Sequence, residues 1–292
     1  MTFLLAGCLS GPGARSKEPL PWIAYYASDL PGEAFSRFAL VIFDAEDHPP
    51  LSARPRPIYL GYLSLGEVDP FRPYFEAVER EGLLAGVNDR WGSHFVDLRD
   101  PRWSARVLDE LLPALLDRGF DGVLLDTLDS SLYLEEQEPI RFKGMQDAAV
   151  RLVRQIRTRY PGLRIAMNRA YALLPRIDGE LDYLLAESVY GGYDFERKTY
   201  VPVTRAESQA QLKLLHATRL RRPALDILTL DYWNPADTAG IARVYRKQKA
   251  NGFHPYVSTI LLDRIGKMPA DPNQPGKPAL SRRSEALPTR AH

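Results

Sequence analysis

Eight short apolar runs, at residues 22–26, 38–43, 58–63, 122–125, 164–167, 183–186, 227–230 and 255–258, constrain this chain more than any other feature. Each is apolar along most of its length rather than at every second position. A strand with one face in water alternates, whereas a strand covered on both faces does not. Runs of this kind predict parallel strands whose crossovers are helices packed on the sheet. The intervening segments carry helix signals. Asp100-Pro101 offers an N-cap followed by proline at the first helical position, and Val107, Leu108, Leu111, Leu112, Leu115 and Leu116 then mark one apolar face. Pro113 falls inside that face and should kink the helix or remove one of its hydrogen bonds. A second helix is expected over residues 145–160, and a third opens at Asn234-Pro235, while Gly119 and Gly162 sit where helices should stop.

Eight buried strands alternating with helices predict an α/β fold, a single-domain (β/α)8 TIM-type barrel. Such a barrel needs roughly 250 residues, and residues 21–265 supply them. An open doubly wound sheet is the structural alternative, but no glycine-rich phosphate or dinucleotide fingerprint supports it. The longest connection runs from about Glu67 to Asp97, and His94-Phe95-Val96-Asp97 within it reads as a short ninth strand. Residues 1–20 read as a lipoprotein-signal remnant or linker, and residues 266–292, rich in proline and polar groups, as a disordered tail.

Charge excludes some partners. Thirty-eight Lys and Arg nearly cancel 37 Asp and Glu, so nothing in the bulk balance points to nucleic acid. The single cysteine, Cys8, rules out an internal disulfide framework or a cysteine-rich metal site. Leu5-Ala6-Gly7-Cys8 resembles a bacterial lipobox, although no positive segment precedes it and its apolar stretch is short. Membrane association is therefore expected only through a lipid anchor at Cys8, with a cell-envelope or secreted location and a monomeric state.

In a barrel, residues at the C-terminal ends of the strands face the active site. Here those ends read Asp44, Ser64 with Glu67, Asp126 with Asp129, Asn168 with Arg169, Glu187, and Asp231-Tyr232-Trp233. A carboxylate directly after a buried run needs a partner or a task, and the repetition predicts an acidic, reactive mouth. Paired carboxylates without a metal are the machinery of glycoside hydrolysis. The rivals lack their residues. No two of the five histidines stand at metal-ligand spacing, no strand ends in a Gly-x-Ser-x-Gly elbow, and no cofactor motif is present. Tyr25, Tyr62, Trp91, Tyr171, Tyr190, Tyr193, Tyr232 and Trp233 fall at or just past strand ends, where flat rings could stack on sugars.

The ordered set Tyr62-Leu63-Ser64-Leu65-Gly66-Glu67, Phe95-Val96-Asp97-Leu98-Arg99-Asp100-Pro101, Gly119-Phe120-Asp121-Gly122-Val123-Leu124-Leu125-Asp126-Thr127-Leu128-Asp129-Ser130, Met167-Asn168-Arg169 and Leu185-Ala186-Glu187-Ser188 resembles glycoside hydrolase family 114 across residues 22–262. The resemblance implies a barrel that cleaves α-1,4-linked, partly deacetylated galactosamine polymers. It maps the family's catalytic aspartate onto Asp126 and its catalytic glutamate onto Glu187, with Asp126 as nucleophile and Glu187 as general acid/base. A deacetylated polymer is cationic, so Asp44, Glu67, Asp97, Asp129 and Asp231 are expected to hold its ammonium groups. Tyr25, Tyr62, Ser64, Asn168, Tyr190, Tyr232 and Trp233 complete the expected substrate contacts. Thr127 departs from the aromatic or asparagine often found after the aspartate. The competing reading is a carbohydrate-binding barrel lipoprotein without turnover, and behind it an isomerase or metal-dependent barrel.

Overall fold

The structure is a computed structural model and describes residues 20–53 and 55–269, so Cys8 and most of the proline-rich C-terminal segment lie outside the described residues. Eight parallel strands form one sheet in chain order: β1 (Trp22–Tyr25), β2 (Leu40–Asp44), β3 (Ile58–Ser64), β4 (Gly122–Asp126), β5 (Arg164–Asn168), β6 (Tyr183–Glu187), β7 (Asp226–Tyr232) and β8 (His254–Ser258). Each observed strand overlaps one of the eight apolar runs, because burial on both faces wrote a continuous pattern into the sequence. The sheet curls into a (β/α)8 barrel. Its seam is held by side chains: the Trp22 indole donates to the His254 carbonyl at 2.7 Å, and the Leu20 N–H donates to His254 Nδ1 at 2.9 Å.

The two ends of the barrel carry acids of different character. At the N-terminal ends, Asp121 pairs with Arg56 at 2.5 Å and also accepts from the Tyr59 N–H. Asp182 likewise takes Arg157, Arg164 and the Ile165 N–H. These acids fix strand starts. Conservative closure of the floor leaves chemistry to the opposite face.

The helices follow the expected signals with two adjustments. Asp100 caps the helix Pro101–Arg106 by accepting from the Arg102 N–H at 2.9 Å. Because Pro113 has no N–H to give, the ladder slips to a π turn over Val107–Leu111 before resuming α-helix over Leu112–Asp117. The helix expected at Asn234-Pro235 instead starts at Thr238, since Asn234 folds its own carbonyl and side chain into a turn and Asp237 becomes the cap for the Gly240 N–H.

Two connections carry small antiparallel sheets above the barrel. The β3–β4 connection forms three strands, Glu67–Val68, Leu84–Asn88 and Ser93–Val96, where the sequence predicted only the last. The β6–β7 connection forms the hairpin Gly191–Asp194 with Thr199–Pro202.

Gly122 opens β4 inside the barrel, where an added Cβ would sit 2.1 Å from the Arg164 carbonyl oxygen and 2.7 Å from Leu60 Cδ2. Gly122→Val should therefore lower stability by about 1–3 kcal/mol through overpacking. Denaturant unfolding checks this, and an unchanged midpoint would contradict the packing.

Candidate active site

Three adjacent strands end in three polar residues: Asp126 on β4, Asn168 on β5 and Glu187 on β6. Neighbouring strands lie about 4.8 Å apart, so the two acids stand on either side of Asn168 at the C-terminal end of the barrel. Asn168 Nδ2 donates to Asp126 Oδ1 at 2.9 Å, and the same amide favours the ionised form of the Glu187 carboxyl. The Asn168 Oδ1 is buried without a partner. Tyr232, at the end of β7, donates to Glu187 Oε1 at 2.6 Å, and Tyr62, on β3, favours the ionised form of Asp126. Both acids are half-buried and remain open to the mouth.

Burial raises both carboxyls. It pushes Glu187 above its ordinary range, the Asp126 charge pushes it further, and Tyr232, Asn168 and Arg169 pull back. Burial also raises Asp126, against which Asn168, the Thr127 N–H and Tyr62 act. The Tyr26 hydroxyl is raised well above its usual range, first by burial and then by the charges of Asp126 and Glu187.

Backbone geometry marks the same three strand ends. Thr127, Arg169, Ala170 and Ser188, which directly follow them, hold φ of 60°, 50°, 42° and 53°. A left-handed non-glycine residue costs about 1 kcal/mol or more and persists where its surroundings enforce it. Here the Ser188 N–H donates to the Leu230 carbonyl and the Arg169 N–H to that of Leu185, extending the ladders past the strand ends. Thr127 Oγ1 accepts from the Gly66 N–H at 2.9 Å and contacts Ser64 Oγ at 2.7 Å. Only glycine fits at position 66, where a Cβ would lie 2.2 Å from the Thr127 carbonyl oxygen.

The remaining expected contacts divide. Asp129 stands exposed at the rim, its carboxyl raised by the protein wall behind it and then by Asp126, with Arg169 opposing. Asp44 is taken up by Arg72, at 2.7 and 3.0 Å; burial pushes its carboxyl up, but that pair holds it below its ordinary range. Asp97 makes a two-pronged pair with Arg99. Glu67 is buried and accepts from Asn88, Ser93 and Ser130. Ser64 donates to the Glu67 carbonyl at 2.7 Å. Asp231 is fully buried and turns toward the helix Thr238–Ala250, accepting from the Tyr190 and Gly191 N–H groups and from Gln248. Tyr190 packs beside Lys247 and accepts from Asn251, and the Trp233 indole donates to Asp237. Tyr25 packs between Phe35 and Phe43 and hydrogen-bonds Asp29.

Strand alternation explains one displacement. Successive side chains point to opposite faces, so with Tyr25 outward it is Tyr26 that reaches the carboxylates and meets Tyr62, with ring centroids 5.5 Å apart. That signal was available in the sequence, as was Tyr171, whose buried hydroxyl lacks a partner in the neighbourhood of Arg169 and Glu187.

Comparison with known proteins places this geometry. The model of the glycoside-hydrolase family GH114 matches residues 23–273. An uncharacterized protein of Thermotoga maritima is 25% identical over 224 residues, covering 70% of this chain and 67% of that protein. The glycoside hydrolase domain of PelA from Pseudomonas aeruginosa superposes with a TM-score of 0.72 at 27% identity, over 85% of this chain and 98% of that one. Ega3 of Aspergillus fumigatus, solved in complex with galactosamine, shares the fold with a TM-score of 0.61 at 14% identity, over 84% of this chain and 93% of that one.

Asp231→Ala would leave three donors buried and unpaired, and should destabilise the protein by roughly 2–4 kcal/mol. Asp129→Ala, at the rim, should leave the melting temperature nearly unchanged. Equal melting temperatures for the two variants would contradict the placement of Asp231.

Proposed function

We propose, given that the chain belongs to glycoside-hydrolase family GH114 and is a glycoside hydrolase, that it cleaves α-1,4-linked, partly deacetylated galactosamine polysaccharide with Asp126 and Glu187 as its working pair. The observation that supports this reading is that adjacent strands end in Asp126, Asn168 and Glu187, with Asn168 donating to Asp126 and the Asp126 charge adding to the burial that raises Glu187. A carboxyl raised by a neighbouring carboxylate is suited to hold the proton, which gives Glu187 the acid role.

In the first step Glu187, protonated, gives its proton to the glycosidic oxygen as the bond to the anomeric carbon breaks. Asp126, ionised and held by Asn168 and Tyr62, meets the positive charge that develops on that carbon and forms the glycosyl–enzyme bond. The leaving chain departs with the proton. Water then attacks the anomeric carbon, Glu187 takes the proton from that water, and Asp126 is released as a carboxylate. Tyr232 orients Glu187 throughout.

The substrate follows from charge and from the relatives. Free 2-amino groups are mostly protonated at neutral pH, and Asp126, Glu187 and Asp129 are the acids left facing the mouth once Asp44 and Asp97 are paired with arginines. Their field favours a cationic chain. Galactosamine is the sugar in the Ega3 complex, and the glycoside hydrolase domain of PelA is the more similar of the two solved structures. No helix among the described residues is long and apolar enough to cross a membrane. A polymeric substrate fits action in the cell envelope or outside the cell, with Cys8 as the proposed anchor.

The test is hydrolysis of partly deacetylated α-1,4-galactosaminan by the wild type and by Asp126→Asn and Glu187→Gln. The wild type should release shorter oligosaccharides, and each variant should lose about 10²–10⁴-fold in kcat with its melting temperature retained. A wild type that binds the polymer without shortening it would favour the non-catalytic binder. A variant of near wild-type turnover would remove that residue from the mechanism.

A further inference from the structure

Two hairpin tips meet above the barrel. The β3–β4 connection turns at Arg90 and Trp91 between Leu84–Asn88 and Ser93–Val96, and the β6–β7 connection turns at Phe195 after Gly191–Asp194. The Trp91 and Phe195 rings pack edge to face with centroids 4.8 Å apart. The row continues from Phe195 to Tyr193 at 5.2 Å and from Tyr193 to Tyr200 at 5.1 Å. Tyr200 ends it by accepting from the Ile260 N–H, just past β8. Between β3 and β6 lie β4 and β5, the strands that end in Asp126 and Asn168. The foot of the first hairpin is tied to the same sector through Glu67, which accepts from Ser130 at 2.5 Å, and the second begins four residues after Glu187.

This row is not core. Trp91 is 57% exposed and Phe195 40% exposed, and large aromatic rings left together in water mark a binding surface. A guanidinium lies against it. The Arg90 guanidinium lies 5.8 Å from the Trp91 ring centroid and 5.7 Å from that of Phe195. Among the described residues these two rings, rather than a carboxylate, hold it. Arg197 and Lys198 share the second tip with Asp194 and Glu196, and Asp89 precedes Arg90, so the tips are balanced in charge and the cation against the rings is Arg90 itself.

We propose that this aromatic row is a sugar subsite that takes a neutral, N-acetylated hexosamine unit of the polymer rather than a free-amine unit. This rests on the reading of the chain as a galactosamine-polymer hydrolase. The apolar face of a pyranose ring stacks on exposed Trp91 and Phe195. The Arg90 N–H groups donate to an acetamido carbonyl oxygen, whereas an ammonium group in the same place is repelled by the guanidinium. The acid pair and the row then read opposite states of the 2-amino group at different positions along one chain. Cleavage becomes sensitive to the pattern of acetylation and not only to its extent.

The experiment compares the full chain with Trp91→Ala, Phe195→Ala and Arg90→Glu on two polymers, fully deacetylated and half N-acetylated α-1,4-galactosaminan. Trp91→Ala and Phe195→Ala should raise KM on the half-acetylated polymer roughly 3- to 10-fold, with kcat moved by less than about twofold. Arg90→Glu should raise KM on the half-acetylated polymer and lower it on the fully deacetylated one. Variants that match an active wild type on both polymers would overturn the subsite while leaving the hydrolase reading standing. An Arg90→Glu effect of the same sign and size on both polymers would overturn the acetyl selection. Tryptophan fluorescence gives an arm independent of turnover: quenching by an N-acetylated galactosamine oligosaccharide, lost in Trp91→Phe, supports the subsite even if the wild type cleaves neither polymer.

Discussion

Two carboxyl groups raised by burial and set on strands to either side of one amide cannot both be anions at little cost, and that constraint bears on the rest of this site. Asn168, on the strand between them, donates to Asp126 and lowers the proton affinity of Glu187. The Thr127 N–H and Tyr62 act in the same direction on Asp126, as Tyr232 and the Arg169 cation do on Glu187, which also stands in the field of Asp126.

The barrel supplies the rigidity this needs. Strand ends β4, β5 and β6 are followed at once by left-handed residues, and each such turn is held by backbone or hydroxyl contacts to a neighbouring strand. Asp231, buried behind the site, anchors the start of the β6–β7 connection through the Tyr190 and Gly191 N–H groups. A buried carboxylate costs stability unless its lone pairs are filled, and Asp231 has three donors. Stability-bearing acids and open acids thus alternate around the same rim, and Arg72 and Arg99 remove two more from the mouth.

The strands were legible because burial on both faces leaves an uninterrupted apolar run, and all eight can be read from residues 22–26 through 255–258. The acids at strand ends were equally visible, but their directions were not. Asp231 and Asp126 look alike in sequence, each closing an apolar run. Strand phase sends Asp231 outward to Gln248 and Asp126 inward to Asn168. Tyr25 and Tyr26 differ in the same way. The strand Glu67–Val68 is buried but only two residues long, and Leu84–Asn88 is half exposed, so no apolar run announces either. The helix Arg205–Arg221 carries a capping box at Thr204 and Glu207 that the sequence does display, but it buries only Ser208, Leu215 and Thr218, so its apolar face is too weak to mark it. The meeting of Trp91 with Phe195, 104 positions apart in a chain of 292 residues, depends on how two hairpins lean and has no local signature.

The most direct test of the account is the titration of Glu187 followed by carboxyl-carbon NMR in the wild type and in Asp126→Asn. The pair model expects Glu187 to hold its proton above the ordinary glutamate range, so that its share of activity as an acid is full at low pH and lost as pH rises through that raised value. Replacing the Asp126 charge with a neutral amide should bring the Glu187 midpoint down, because one of the two influences that raise it is gone. A Glu187 that titrates at its ordinary value, or whose midpoint is unmoved by Asp126→Asn, would show that the two groups do not act as a pair.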